Sequence, residues 1–133
     1  MAEQAETPSN PPSLTGKRAL VTGAARGIGA RTAEMLVREG ARVAVHARQR
    51  DQLDDVAERL HALCGEAICV SGDLTQAKSI AKFCAQAIDE LGGIDIVINN
   101  AGVAAHGPVV DLEEEEWNQV MDVNLKAPYL VTQ

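Results

Sequence analysis

From Arg18 to Gly29 the chain reads RALVTGAARGIG. An apolar, β-branched run passes directly into a segment with glycines at 23, 27 and 29, and a helical pattern begins inside that segment. The three glycines have separate roles. Without a Cβ, Gly23 permits a tight turn, Gly27 lets backbone approach a phosphate closely, and Gly29 lets the helix pack on the strand. The helix N-terminus then offers free N–H groups and the positive end of its dipole to a pyrophosphate. Glycines also mark ordinary loops, so the strand–turn–helix setting is what gives the pattern its meaning. No G-x-x-x-x-G-K-[ST] occurs in the chain, which excludes an ATP-type phosphate loop.

The same texture recurs downstream. After Arg18 to Thr22, further apolar runs lie at Arg42 to His46, Glu66 to Val70 and Ile94 to Ile98. Their near-continuous apolar character suits strands covered on both faces of a parallel sheet. Between them Leu53, Val56, Ala57, Leu60 and Leu63 recur at helical spacing, as do Ile80, Phe83, Cys84, Ala87, Ile88 and Leu91. Gly40, Gly65 and Gly92-Gly93 stand where each helix should stop. Strict alternation of strand and helix predicts an α/β fold built of right-handed crossovers. The expected architecture is an open, parallel α/β sheet of about four strands and their helices, over residues 14–133. Residues 1–13 are polar, hold three of the five prolines and read as a disordered tail.

A length of 133 residues, 46% of them apolar, supports one domain with one core. With a single Trp, Tyr and Phe, that core must be built from Ala, Val, Ile and Leu. A net charge of −7 argues against nucleic-acid binding. The charge is uneven: residues 1–59 hold nine basic against eight acidic side chains, residues 60–133 three against eleven. A bound anion therefore belongs near the first half. Three irregularly spaced cysteines make no disulfide framework and point to a reduced, cytoplasmic setting. His61, Cys64, Cys69 and Cys84 resemble a ligand set only superficially. The thiols fall on apolar helix faces or within a strand run, so buried structural thiols are expected and no metal site. No apolar run is long enough to span a membrane, and residues 1–13 lack the basic start and apolar stretch of a signal peptide.

A fifth helical stretch opens with the acidic run Asp111 to Glu116, read as charge complementing the helix N-terminus. Trp117, Val120, Met121 and Asn124 follow at offsets 0, 3, 4 and 7, which predicts Asn124 on a buried face.

TGAARGIG, then Asp73-Leu74 after the third run, then Asn99-Asn100-Ala101-Gly102 after the fourth, and finally VNLKAPY at 123–129 stand in this order. Together they resemble the short-chain dehydrogenase/reductase family, from about Leu14 to the last residue. The resemblance implies an NAD(P)-dependent oxidoreductase transferring hydride between nicotinamide and a small carbonyl compound or secondary alcohol. It also implies a Rossmann-type, doubly wound parallel sheet, incomplete here, with residues 14–133 the N-terminal part of its dinucleotide-binding domain. Neither nucleic acid nor membrane is an expected partner, and the full-length protein is expected to be a homo-oligomer, dimer or tetramer. The implied coenzyme contacts in the glycine loop are Gly23, Ala25, Arg26, Gly27, Ile28 and Gly29. Asp73 is similar to the acid that bonds the adenine amino group, with Leu74 beside the ring. Asn100, Ala101 and Gly102 would run along the adenosine ribose. Asn124 matches the family's catalytic asparagine, which shapes its helix and holds a water in a proton relay; a purely structural amide fits its position equally.

Coenzyme choice follows from the end of the second run. NAD-selective sites place an acid about 20 residues past the glycines to accept from the ribose 2′-OH. Here Ala47 stands where such relatives carry Asp, and Arg48 follows. An arginine can grip a 2′-phosphate bidentately, and Arg26 is placed as a second basic contact, so NADP(H) is expected over NAD(H). His46 reads as a local hydrogen-bonding residue, and His61 and His106 have no partner at catalytic spacing.

The family pattern then breaks. Its catalysis uses a serine and a Tyr-x-x-x-Lys pair on one helical face. The one tyrosine, Tyr129, has Gln133 four residues on, and Ser71 and Ser79 lie in the wrong region. The expectation is a truncated enzyme, inactive as it stands; the alternatives are a non-catalytic NADP(H)-binding module and an inactive fragment. In that reading Ile94 to Ile98 is an open, apolar sheet edge, and the isolated chain self-associates or fails to fold.

Overall fold

A computed structural model describes residues 13–64 and 66–133. Four parallel strands, β1 (Arg18–Val21), β2 (Arg42–Ala47), β3 (Ile68–Ser71) and β4 (Ile96–Ile98), lie in the order β3-β2-β1-β4. Leu20 sits opposite Ala44 on one side and Val97 on the other, and Val45 opposite Cys69. The helices are α1 (Gly27–Arg38), α2 (Asp54–Cys64), α3 (Ala77–Leu91), α4 (Glu114–Met121) and α5 (Ala127–Thr132). This is the expected parallel Rossmann-type sheet.

Side-chain alternation along each strand divides the core between two faces. Ala19, Val21, Val43 and Val45 pack with Ala30, Ala33 and Val37 of α1 and Val56 and Leu60 of α2. Leu20, Ala44, Ile68 and Val70 pack with Ile80, Phe83, Ala87 and Leu91 of α3 and Ala127 of α5. Helices on both faces account for strands without a polar side. α1 and α2 are also joined by Glu34, whose nearly buried carboxylate lies 2.9 Å from Arg31 Nη1 and 3.2 Å from Arg59 Nε. Gly92 caps α3 in the left-handed conformation at φ +80°, as a stop signal should.

Several boundaries differ from the apolar runs. β1 ends one residue before Thr22, and β2 runs one residue past His46. β3 begins at Ile68, two residues after Glu66, and runs one past Val70 to Ser71, while Glu66 Oε1 meets Arg42 Nη2 at 2.9 Å. Ile94 and Asp95 lead into β4, and there Arg18 Nε donates to Asp95 Oδ2 at 3.0 Å and its Nη1 to the Gly92 carbonyl at 2.6 Å. Leu63 and Ile88, read as helix-core positions, are exposed at the rims of their faces. Cys69 is buried and Cys84 half-buried, and burial raises both thiols above their usual range. Ser13, assigned to the tail, sits in a turn with its hydroxyl donating to Glu39. The rest of the tail, residues 1–12, and the stop at Gly65 lie outside the described residues, as does the side chain of Cys64.

The fifth helical stretch corrects the sequence reading most. Its acidic first turn, Glu114 to Glu116, stands at the N-terminus of α4 as expected. Its predicted buried face is open: Trp117 is 53% exposed, Asn124 is exposed, and Val120 and Met121 are only half-buried. The turn between α4 and α5, Asp122–Lys126, is π-helical. Trp117, Val120 and Met121 precede that turn, within regular α-helix; α4 packs chiefly against the turn that follows it, so its apolar stripe has no wall to close on among the described residues. No described helix is long and apolar enough to cross a membrane.

Candidate active site

The carboxyl ends of β1, β2, β3 and β4 open into a cavity of about 790 Å³. Ligands in open α/β sheets bind at this end, where the strand order reverses. β1 is the first strand and has β2 and β4 on its two sides, so the reversal lies at its end.

Thr22 leaves β1 buried, and its hydroxyl fastens the neighbouring loop. The hydroxyl oxygen accepts the N–H groups of Asn100 and Ala101, each at 3.2 Å. In return, Asn100 Nδ2 donates to the carbonyls of Thr22 (3.2 Å) and Gly23 (3.0 Å). The loop after β4 is thereby held against the glycine loop. Two glycines make that approach possible. A Cβ on Gly23 would lie 2.7 Å from Ala101 Cα, and one on Gly29 would meet the Gly23 carbonyl and stand 2.5 Å from Asn100 Nδ2. Gly27 differs: at φ +59° its missing Cβ would find nothing within 4 Å. It faces the open cavity rather than packed protein.

α1 begins there with no side-chain cap and no acid in its first turn. The first helical bond is Ala30 N–H to the Arg26 carbonyl, so the N–H groups of Gly27, Ile28 and Gly29 precede the ladder. Gly27 and Ile28 line the cavity beside Arg26. Open N–H groups, the dipole's positive end and an arginine together suit an anion.

The opposite wall comes from β2, β3 and the turns that follow them. Arg48 stands on the rim with its side chain 74% exposed and Nη2 4.0 Å from Asp73 Oδ2. Thr75 holds the Asp73 carboxylate from below, donating its N–H (2.9 Å) and hydroxyl (2.7 Å) to Oδ1. Those two bonds, with Arg48 a smaller influence, keep the carboxyl below its usual range. Ser79, excluded as a catalytic serine, accepts the Asp73 N–H at 2.8 Å and so has a structural job.

Of the twelve coenzyme contacts expected from the sequence, eleven line this one cavity: Gly23, Ala25, Arg26, Gly27, Ile28, Arg48, Asp73, Leu74, Asn100, Ala101 and Gly102. Gly29 lies behind the wall, in packing contact with Gly23 and Asn100. Asn124 is not part of the lining. Its amide closes a two-way clamp on Val103, accepting that residue's N–H at 2.9 Å and donating to its carbonyl at 2.7 Å. Val103 does line the cavity, so Asn124 acts on the site through backbone.

Sequence reading missed His46, Gln52, Gly72, Thr75, Gln119 and Val123 as lining residues. Gln52 carried a usable signal, because Gln49 and Gln52 form a reciprocal capping box at the start of the 3₁₀ turn Arg50–Leu53. Gln119 and Val123 carried none, since they come from α4 and the π turn.

A model of the short-chain dehydrogenase family matches residues 17–133. An uncharacterized oxidoreductase of Listeria innocua is 34% identical over 114 residues, which are 86% of this chain and 46% of that protein. The crystal structure of a short-chain type dehydrogenase/reductase from Mycobacterium marinum is 38% identical with a TM-score of 0.87, covering 92% of this chain and 50% of that one. A metagenomic short-chain oxidoreductase in complex with NADP is 42% identical with a TM-score of 0.84, over 90% and 54% of the two chains. The chain thus spans about half the length of the curated relatives it matches. The match runs through every strand and helix that builds the cavity, and the chain belongs to the short-chain dehydrogenase family.

Proposed function

We propose that the cavity binds NADP(H) in preference to NAD(H), and that the chain is the coenzyme-binding part of an oxidoreductase acting on a carbonyl compound or secondary alcohol. The observation that carries the preference is the rim of β2: Ala47 leaves the ribose edge without an acid, and Arg48 stands next to it, exposed and facing the cavity. The metagenomic relative was solved in complex with NADP, which supports this reading. In this reading the open start of α1, with Arg26, receives the pyrophosphate. Asp73 and Leu74 take the adenine, Asn100 to Gly102 back the ribose, and Arg48 meets the 2′-phosphate. Bound there, the nicotinamide group supplies hydride chemistry.

The chain's cavity is lined by no tyrosine or lysine among the described residues. The single tyrosine, Tyr129, lies exposed on α5, and Gln133 occupies the position a lysine partner would need. Asn124 holds Val103 rather than facing the cavity. That observation supports a second reading, a module that binds NADP(H) without turning it over. Enzyme-dependent NADPH oxidation by residues 1–133 with ketones or aldehydes would remove it.

Coenzyme preference is tested by charge reversal. Ala47→Asp combined with Arg48→Ser should invert the order of affinities, because a charge-assisted bond contributes about 1.5–3 kcal/mol and an acid repels the phosphate. Calorimetric titration of both proteins reads the result. An unchanged order in the double variant would refute the role given to Arg48.

A further inference from the structure

Backbone bonds carry β2 past its neighbours' strand ends, from Ala24 N–H to the His46 carbonyl at 2.8 Å and from Gly72 N–H to the Ala47 carbonyl at 3.1 Å, and a side chain bridges the same two loops. His46, at the end of β2 between them, is 1% exposed and lines the cavity. Its Nδ1 accepts the N–H of Gly23 at 3.4 Å, and its Nε2 stands 3.0 Å from the carbonyl of Gly72. A carbonyl only accepts, so Nε2 carries the proton and Nδ1 the lone pair: one neutral tautomer serves both partners. Phe83 of α3 packs on the ring, with centroids 4.3 Å apart.

We propose that His46 is a positioning residue for the coenzyme, its ring setting the gap between the glycine loop and the Gly72 turn where the adenosine half would lie. The inference rests on the coenzyme reading above. Both partners are cavity walls, and neither has a side chain of its own to do the holding. Gly23 is further fixed at its carbonyl by Asn100, so the ring bond secures the remaining end of that peptide segment.

The arrangement makes the site sensitive to acid. Protonation puts an N–H where Nδ1 must accept, which breaks the Gly23 contact. The ring meets Gly23 from the β1 loop, Gly72 from the β3 turn and Phe83 from α3. The charged neighbours on those turns, Arg48 and Asp73, pair with each other. Burial lowers the imidazole from its ordinary 6.5, and the Gly72 carbonyl offsets part of that. His46 therefore stays neutral to below its ordinary 6.5, and the contact is lost only as pH falls through the lowered folded value.

The test is NADPH binding, followed by nicotinamide fluorescence, from about pH 8 down to about pH 5. The full chain is compared with His46→Phe, which keeps the ring but neither bond, and with His46→Asn, which restores an acceptor for Gly23 without titrating. The 2′-phosphate itself titrates near pH 6, so the difference between proteins, not the raw profile, reports on the ring. We expect His46→Phe to bind about tenfold more weakly at pH 8, as loss of two hydrogen bonds implies, with His46→Asn between the two. The unmodified chain should lose affinity more steeply than either variant as pH falls through the ring's lowered value, below 6.5. Thermal melts of each protein separate loss of fold from loss of the contact, and His46→Asn carries the comparison if the Phe variant does not fold. Equal affinity and equal pH profiles in all folded proteins overturn the positioning role and leave the coenzyme reading standing. No NADPH binding by the unmodified chain at any pH overturns both.

Discussion

Two glycines of the same loop, Gly27 and Gly29, carry opposite obligations. A methyl on Gly29 would run into the Gly23 carbonyl and the Asn100 amide, both fixed by other bonds. A methyl on Gly27 meets open space. Gly29→Ala should therefore lower stability by about 1–3 kcal/mol through overpacking. Gly27→Ala should cost only about 1–2 kcal/mol, for a left-handed residue with a Cβ, yet abolish coenzyme binding because the methyl occupies the phosphate approach. Denaturant melts and NADPH titration of both variants check this. A Gly27→Ala protein that binds normally would reduce the loop to a turn. These glycine roles were legible in the sequence because they follow from what a Cβ would obstruct. The part played by His46 was only half legible: local bonding could be read, but its partners lie 23 and 26 residues away and only the fold brings them together.

At the scale of elements, the sequence located the four described strands and the helices between them, with ends off by one or two residues. Glu66 and Asp95, read as parts of apolar runs, lie outside β3 and β4, and each pairs with an arginine from another strand, Arg42 and Arg18. Such partners are not visible in a one-strand pattern. The face of α4 failed for a different reason: periodicity finds an apolar stripe but not its partner, and α4 packs chiefly against the turn that follows it. The Arg18–Asp95 pair joins β1 to the approach of β4, the edge strand. Hydrogen bonds from Arg18 hold the Asp95 carboxyl down from 3.8 to about 2. A depressed carboxyl stabilises the fold above its unfolded value and loses that contribution as pH falls through its folded one. Melting temperature should therefore drop between pH 3.8 and about 2, whereas Asp95→Asn should melt lower at neutral pH and vary less across that window. Parallel melting curves for the two proteins in acid would show that the pair does not secure the edge.

Across the whole molecule, charge and topology agree on one location. The acidic excess belongs to residues 60–133, while Arg26 and Arg48, from the near-neutral first half, stand on a cavity whose lining holds a single acid, Asp73. An acidic protein thus presents a locally basic site at the switch point of its sheet. What selects a substrate was not legible in the sequence, because the motifs that could be read all gather at the cavity on the strand ends. Coenzyme preference is read most directly by calorimetric titration of the full chain with NADPH and, separately, with NADH. Tighter binding of NADPH by about ten- to a hundredfold is expected, the range set by one charge-assisted contact to the 2′-phosphate. Equal affinity for the two coenzymes, or tighter binding of NADH, would contradict it.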